Sequence, residues 1–416
     1  MVEALLGPSL KGHKVIELDG SFLWGASTAP HQIEGNNLNS DFWRLEGHMP
    51  GSSYSGDACD SYHRYREDMQ LMADAGLNAY RFGIEWARIQ PRPDLWSNAE
   101  LAHYRRMIET AIELGLTPVV TLQHFTLPAW FADEGGITGP TAPDRWRAYV
   151  ERVSTILDGV EWVVTINEPN MFAMMTGLTK MVSGGKLDQW VSPTVEGEPE
   201  SSSVTSLPAP DPEIGSALVA LHRQAVGILH ARTGAKVGWT IANQAFTLTP
   251  GNAQKFTEVS YVWEDLYLQA SRGDDFVGVQ SYSAQPVDAN GIVPHPPHPD
   301  NTLTGAAYRP DALGIALRHA WEITKGVPLL VTENGIPTDS DERRIEYTTG
   351  ALAGLLDAVD EGIDVRGYLH WSLLDNYEWG HWEPTFGLVA VNRDTFERRP
   401  KPSLAWLGAT ARQGRI

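Results

Sequence analysis

Eight short apolar runs, the amphipathic stretches between them, and room for eight such units in 416 residues predict an α/β fold, a TIM-type (β/α)8 barrel. In order the runs are FLWGAST (22–28), AYRFGIEW (79–86), PVVTLQH (118–124), WVVTINE (162–168), KVGWTIAN (236–243), DFVGVQSY (275–282), PLLVTENG (328–335) and RGYLHWSLL (366–374). Each is rich in β-branched or aromatic residues, which suit a pleated, buried surface. The fourth is stopped by Pro169, and Asn334-Gly335 breaks the seventh.

Helical patterns fill the intervals. DSYHRYREDMQLMADAG places Tyr62, Tyr65, Met69 and Met72 on one face and ends at Gly76; LAHYRRMIETAIELG ends at Gly115. The Ser-, Pro- and Gly-rich segment from Ser183 to Pro212 lies between the fourth strand and the helical IGSALVALHRQAVGILHA. It reads as a long loop on the catalytic face rather than a linker, so the expectation is one barrel domain over residues 1–416 with a loop at about 183–212.

Composition narrows the function classes. The chain carries 32 Lys and Arg against 52 Asp and Glu, a net charge of −20, which disfavours nucleic acid and anionic membranes as partners. A single cysteine, Cys59, permits neither an internal disulfide nor a thiolate metal site. The opening stretch lacks a basic start followed by an apolar core, and no run reaches the length of a membrane span. The sequence therefore reads as a soluble, cytoplasmic protein. No zinc, calcium, phosphate-loop or dinucleotide motif is present, so neither metal nor cofactor is expected. Nothing in the sequence speaks to oligomeric state.

The chemistry lies at two strand ends. Glu168 closes the fourth run and Glu333 stands near the end of the seventh, positions that in a closed barrel open into one pocket. A lone glutamate there reads most simply as an ion-pair partner; two, each followed by a turn signal, point to paired acid/base chemistry. Such a pair can cleave an acetal, one protonated carboxyl serving the departing oxygen and one carboxylate serving the sugar carbon. Arg81, on the second run, and Tyr282, on the sixth, are expected to keep Glu333 ionised, leaving the proton to Glu168.

From FLWGASTAPHQIEG (22–35) through TLQHFTLPAWF (121–131), TINEPN (165–170), TENG (332–335) and WSLLDNYEWG (371–380) to FGLVAV and RRPKPS, the sequence resembles glycoside hydrolase family 1, the retaining β-glucosidase and β-galactosidase group. The resemblance spans nearly the whole chain. It implies Glu168 as acid/base and Glu333 as nucleophile. It also implies that Gln32 and His124 contact the sugar, that Asn167 holds the 2-hydroxyl, that Glu378 and Trp379 read the outer hydroxyls, and that Trp371 forms an aromatic floor. The family's usual His-Trp-Asp is here His124-Phe125-Thr126, its Asn-Tyr-Tyr is Gln280-Ser281-Tyr282, and Trp379 is followed by Gly380-His381-Trp382-Glu383.

The reading is thus a retaining β-glycosidase acting on a small β-glycoside, foremost a β-glucoside, with β-fucosides and β-galactosides as further substrates and transglycosylation as a side reaction. An endo-acting barrel glycanase and a non-catalytic sugar-binding barrel are the rivals. Trp43, Trp86, Trp146 and Trp321 read as packing, and His63 and His222 as structural; His381 and Trp382 stand open between rim contact and loop packing.

Overall fold

The computed structural model describes residues 18, 20–48, 51–183 and 208–414, with side chains described to 177 and again from 208. Its centre is a closed parallel barrel of eight strands. We number them β1 (Leu23–Ser27), β2 (Ala79–Gly83), β3 (Thr117–Thr121), β4 (Trp162–Asn167), β5 (Lys236–Ala242), β6 (Phe276–Gln280), β7 (Leu329–Asn334) and β8 (Val365–Trp371). All eight predicted runs are the barrel strands. Each strand pairs with its neighbours in sequence, and β1 closes on β8 with Leu23 opposite Gly367 and Ser27 opposite Trp371.

The barrel interior is graded along its axis. At the amino ends of the strands an apolar layer of Leu23, Ala79, Val119, Trp162, Phe276 and Leu330 fills the bore. Two residues further along three of those strands, side chains on the same face become polar: Arg81 after Ala79, Thr121 after Val119 and Thr332 after Leu330. The period of two thus carries each strand from packing to chemistry. Gly278 lies at a tight point, where a Cβ would approach Thr332 Oγ1 to 2.7 Å and Thr240 Cγ2 to 2.4 Å.

Two strands slip register just before their functional ends. β4 shifts against β5 between Val164 and Asn167, and β7 shifts against β6 between Val331 and Glu333. An irregularity of this kind re-aims the side chains that follow it.

Helices wrap the outside. Ser61–Ala75 buries Met69 and Met72 and ends on Gly76 at φ 95°, a left-handed cap that glycine adopts without strain. Asn98–Glu113 begins three residues before the predicted start, because Ser97 Oγ caps the Glu100 amide. Asp211 does the same for Pro212–Arg232, accepting from Glu213 and Ile214. The expected loop at 183–212 needs one correction: β4 is followed first by a helix, Pro169–Ser183. Residues 184–207 of that expected loop lie outside the described residues.

At the mouth, the segments after β1 and β8 are tied together. Ser53 donates its amide to Gly380 O at 2.6 Å, Tyr377 Oη donates to Ser53 O at 2.8 Å, and Trp382 Nε1 donates to Tyr54 O at 3.2 Å. Trp382 also packs on Tyr377 and Arg393, which favours loop packing over rim contact, while His381 is exposed. His222 is buried between Thr165 and Asp274, a structural role as expected; Trp86 and Trp146 are buried in the outer core.

Candidate active site

Glu168 sits at the joint between β4 and the helix Pro169–Ser183, with φ 43°. Left-handed backbone is unusual for a non-glycine residue and needs surroundings that enforce it. Here the Glu168 amide donates to Thr240 O at 2.9 Å. Asn170 clamps the turn: its Nδ2 donates to Ala242 O at 2.7 Å and Trp263 O at 2.8 Å, and its Oδ1 accepts from the Ala242 amide. The strand delivers Glu168 where proline stops it because Pro169 suits the first position of the next helix.

Glu333 reaches the same space from β7. Arg81 Nη1 donates to its Oε1 at 2.5 Å and Tyr282 Oη to its Oε2 at 2.5 Å. The guanidinium continues across the bore, Nη2 donating to Asn167 Oδ1 at 2.5 Å and Nε to Thr121 Oγ1 at 3.1 Å. Glu333, Arg81 and Asn167, drawn from β7, β2 and β4, are therefore one hydrogen-bonded unit, and all three are buried. Glu168 is held separately, by Gln280 Nε2 donating to its Oε1 at 2.7 Å.

These environments set the protonation order. Burial and the negative charge of Glu333 push Glu168 up to about 8, against the lowering effect of Gln280 and Arg81. Arg81 and Tyr282, expected to keep Glu333 ionised, both act to lower its carboxyl, while its burial outweighs them and raises it. The two carboxyls titrate as a pair. Glu333 carries a cation and a phenol donor on its two oxygens and Glu168 only a neutral amide, so the shared proton belongs on Glu168.

Asn167 Oδ1 also accepts from Thr240 Oγ1 at 3.0 Å, so its amide nitrogen is the atom facing His124 Nε2, 3.2 Å away. That assignment makes Nε2 the acceptor and puts the imidazole proton on Nδ1, which has no partner among the described residues. Burial and the Arg81 charge keep His124 neutral, well below the usual histidine range.

A second cluster completes the cavity. Trp371 Nε1 donates to Glu378 Oε1 at 3.1 Å and Gln32 Nε2 to Glu378 Oε2 at 3.1 Å. Gln32 is also held by Tyr377 O and Asn376 Oδ1, and its own Oε1 is buried without a partner among the described residues. Glu378 is only partly screened from solvent, yet the protein around it pushes its carboxyl up to about 8. Trp379 stands between four rings: His31 and His124 lie nearly parallel to it at 5.8 and 6.2 Å, and Phe42 and Phe125 meet it edge-on. Behind this wall Glu34 accepts from Arg88 and Tyr104, a structural part.

All ten residues singled out from the sequence thus gather at the carboxyl end of the barrel. Gln280, Thr332, Thr240 and Asn170 were not singled out as site residues; three lie on barrel strands near their carboxyl ends and Asn170 follows Pro169 by one, and only those positions, with the family departure at Gln280, could have flagged them. Among the described residues no group of three His, Cys, Asp or Glu could hold a metal ion, and no helix is long and apolar enough to cross a membrane.

A family model for glycosyl hydrolase family 1 matches residues 15–195 and 274–415. The chain belongs to glycosyl hydrolase family 1. This family-1 chain is 31% identical over 439 residues to the thermostable β-glucosidase B of Thermobispora bispora, a match covering 92% of this chain and 88% of that one. It is 29% identical to a bifunctional β-D-glucosidase/β-D-fucosidase of Bifidobacterium breve, with 92% and 96% covered. The crystal structure of the β-glycosidase BGL167 superimposes with a TM-score of 0.82 at 39% identity, over 95% of this chain and 97% of that one. The expected fold, family and glycoside hydrolase activity of this family-1 enzyme therefore stand.

Proposed function

We propose that this family-1 enzyme is a retaining β-glycosidase for terminal β-glucosides, with Glu168 as acid/base and Glu333 as nucleophile. The observation that carries the assignment is the asymmetry of the two carboxyls: both oxygens of Glu333 are bonded to charged or phenolic donors, and Glu168 has a single amide. Glu333, the better stabilised anion, attacks the anomeric carbon while Glu168 gives its proton to the departing oxygen; Glu168, now a carboxylate, then takes a proton from the water that releases the sugar. Arg81 and Thr240 occupy the Asn167 oxygen and His124 takes one Nδ2 hydrogen, so the second Nδ2 hydrogen is left for the 2-hydroxyl, a contact of the kind that strengthens as charge develops at the neighbouring carbon. The free Nδ1–H of His124 and the free Oε1 of Gln32 are a donor and an acceptor for the remaining hydroxyls.

Glu378 sets the substrate range. Trp371 and Gln32 each fill one acceptor site per oxygen, leaving lone pairs for neighbouring hydroxyls of either epimer. Phe125 has no hydrogen-bond donor where the family has tryptophan. β-Galactosides are then further substrates, and so are β-fucosides, which the name of the Bifidobacterium relative includes. Glu378 forms no ion pair among the described residues, which leaves a phosphorylated sugar without a cation there. Glu333→Ala should abolish cleavage of an aryl β-glucoside, and azide should restore it as the α-glycosyl azide; full activity without azide would overturn the nucleophile assignment.

A further inference from the structure

The residue that grips Glu168 is Gln280, at the position where the sequence departs from the family's Asn-Tyr-Tyr. An amide can present either its NH2 or its oxygen to a carboxyl, with opposite effects. The NH2 favours the ionised acid; the oxygen can only accept, and favours the protonated one. In the structure the next strand supports the first arrangement: Thr332 Oγ1 donates to Gln280 Oε1 at 3.1 Å, and Nε2 faces Glu168. Thr332 is in turn one residue from Glu333, and Ser27 Oγ donates to its carbonyl at 2.5 Å. All of these groups are buried, and Gly278 leaves the room that Thr332 and Thr240 need beneath Gln280.

We propose that Thr332 and Gln280 form a positioning relay that binds one oxygen of Glu168, leaves the other to carry the proton toward the substrate, and sets the pH at which that proton is lost. The proposal rests on the acid/base role given to Glu168. The charged and titratable groups around that carboxyl are Glu333 from β7, Arg81 from β2 and Tyr282 beyond β6, with neutral His124 one hydrogen bond away through Asn167. β5 presents only the uncharged Thr240. Gln280 is the sole hydrogen-bond partner of the Glu168 carboxyl among the described residues.

The sign follows from the donor. Removing an N–H bond from a carboxylate destabilises its ionised form, so the acid holds its proton to higher pH. Gln280→Leu should move the basic limb of kcat/KM for an aryl β-glucoside upward by about one pH unit, the scale of one charge-assisted hydrogen bond. Thr332→Val frees the amide to turn its oxygen to Glu168 and should shift the limb in the same direction, whereas Thr332→Ser, which retains the hydroxyl, should restore it. A structural role alone would lower activity without moving the limb. Glu168→Gln serves as the control: it should abolish the basic limb and cost most with poor leaving groups. If that control keeps the wild-type profile, the acid/base reading fails; if it loses the limb while Gln280→Leu and Thr332→Val leave the limb in place, the relay fails.

Discussion

Replacing Arg81 by Met tests the electrostatic core of the site. The guanidinium is fully buried, bonds Glu333 and Asn167 at 2.5 Å each, and is the only cation in a salt bridge with Glu333 among the described residues. Methionine fills much of the same volume without charge or donors. Breaking a buried pair from one side leaves an uncompensated charge, a cost of roughly 3–5 kcal/mol. At 1.36 kcal/mol per pH unit this raises the Glu333 carboxyl by about two to four units. The nucleophile must be ionised, and its pKa would rise, so activity should be lost as pH falls and the acid limb of kcat/KM should move upward by that amount. At pH 6 the fall in kcat/KM should be on the order of 10²–10³-fold, with partial recovery in Arg81→Lys. The assay is the pH dependence of kcat/KM for an aryl β-glucoside, paired with circular dichroism to confirm folding. An acid limb unmoved in a folded Arg81→Met variant would falsify the claim that this cation keeps Glu333 reactive.

Two further outcomes follow from the same geometry. Glu333→Gln removes the negative neighbour that helps raise Glu168; its side-chain carbon, followed by NMR titration, should titrate below about 8 yet above an ordinary glutamate, because burial persists. Away from the site, Arg398 Nε and Asp68 Oδ1 pair at 2.7 Å with both side chains 1% exposed, so Asp68→Ala should destabilise the fold by about 3–5 kcal/mol in denaturant melts, with the aryl glucosidase pH profile unchanged.

Much of this architecture was legible in the sequence, for identifiable reasons. Strands buried on both faces read as unbroken apolar runs, and each of the eight was bounded by a turn or a helical pattern. Glu168 and Glu333 stood out because an acid at the end of such a run is costly unless it has a task. The helix Pro169–Ser183 was not seen, since PNMFAMMTGLTKMVS is apolar almost all round and shows no 3.6-residue stripe. The register slips in β4 and β7 were equally hidden, because they depend on how neighbouring strands pair. Thr332 gave no signal either, and Gln280 only its departure from the family's asparagine. A polar residue on a strand is common, and what makes these two matter is a contact between chains of atoms 52 residues apart.

The seam where β1 meets β8 has a bearing on how the enzyme comes into being. Trp371 and Glu378 belong to the last strand and the turn beyond it, while Gln32, which holds Glu378, belongs to the first turn. Arg81 likewise waits 252 positions for its counter-charge. A ribosome-bound chain halted before the eighth strand would thus expose β1 as an unpaired edge and lack a sugar cavity altogether, so hydrolytic competence should appear abruptly, at the close of synthesis, instead of accumulating by degrees.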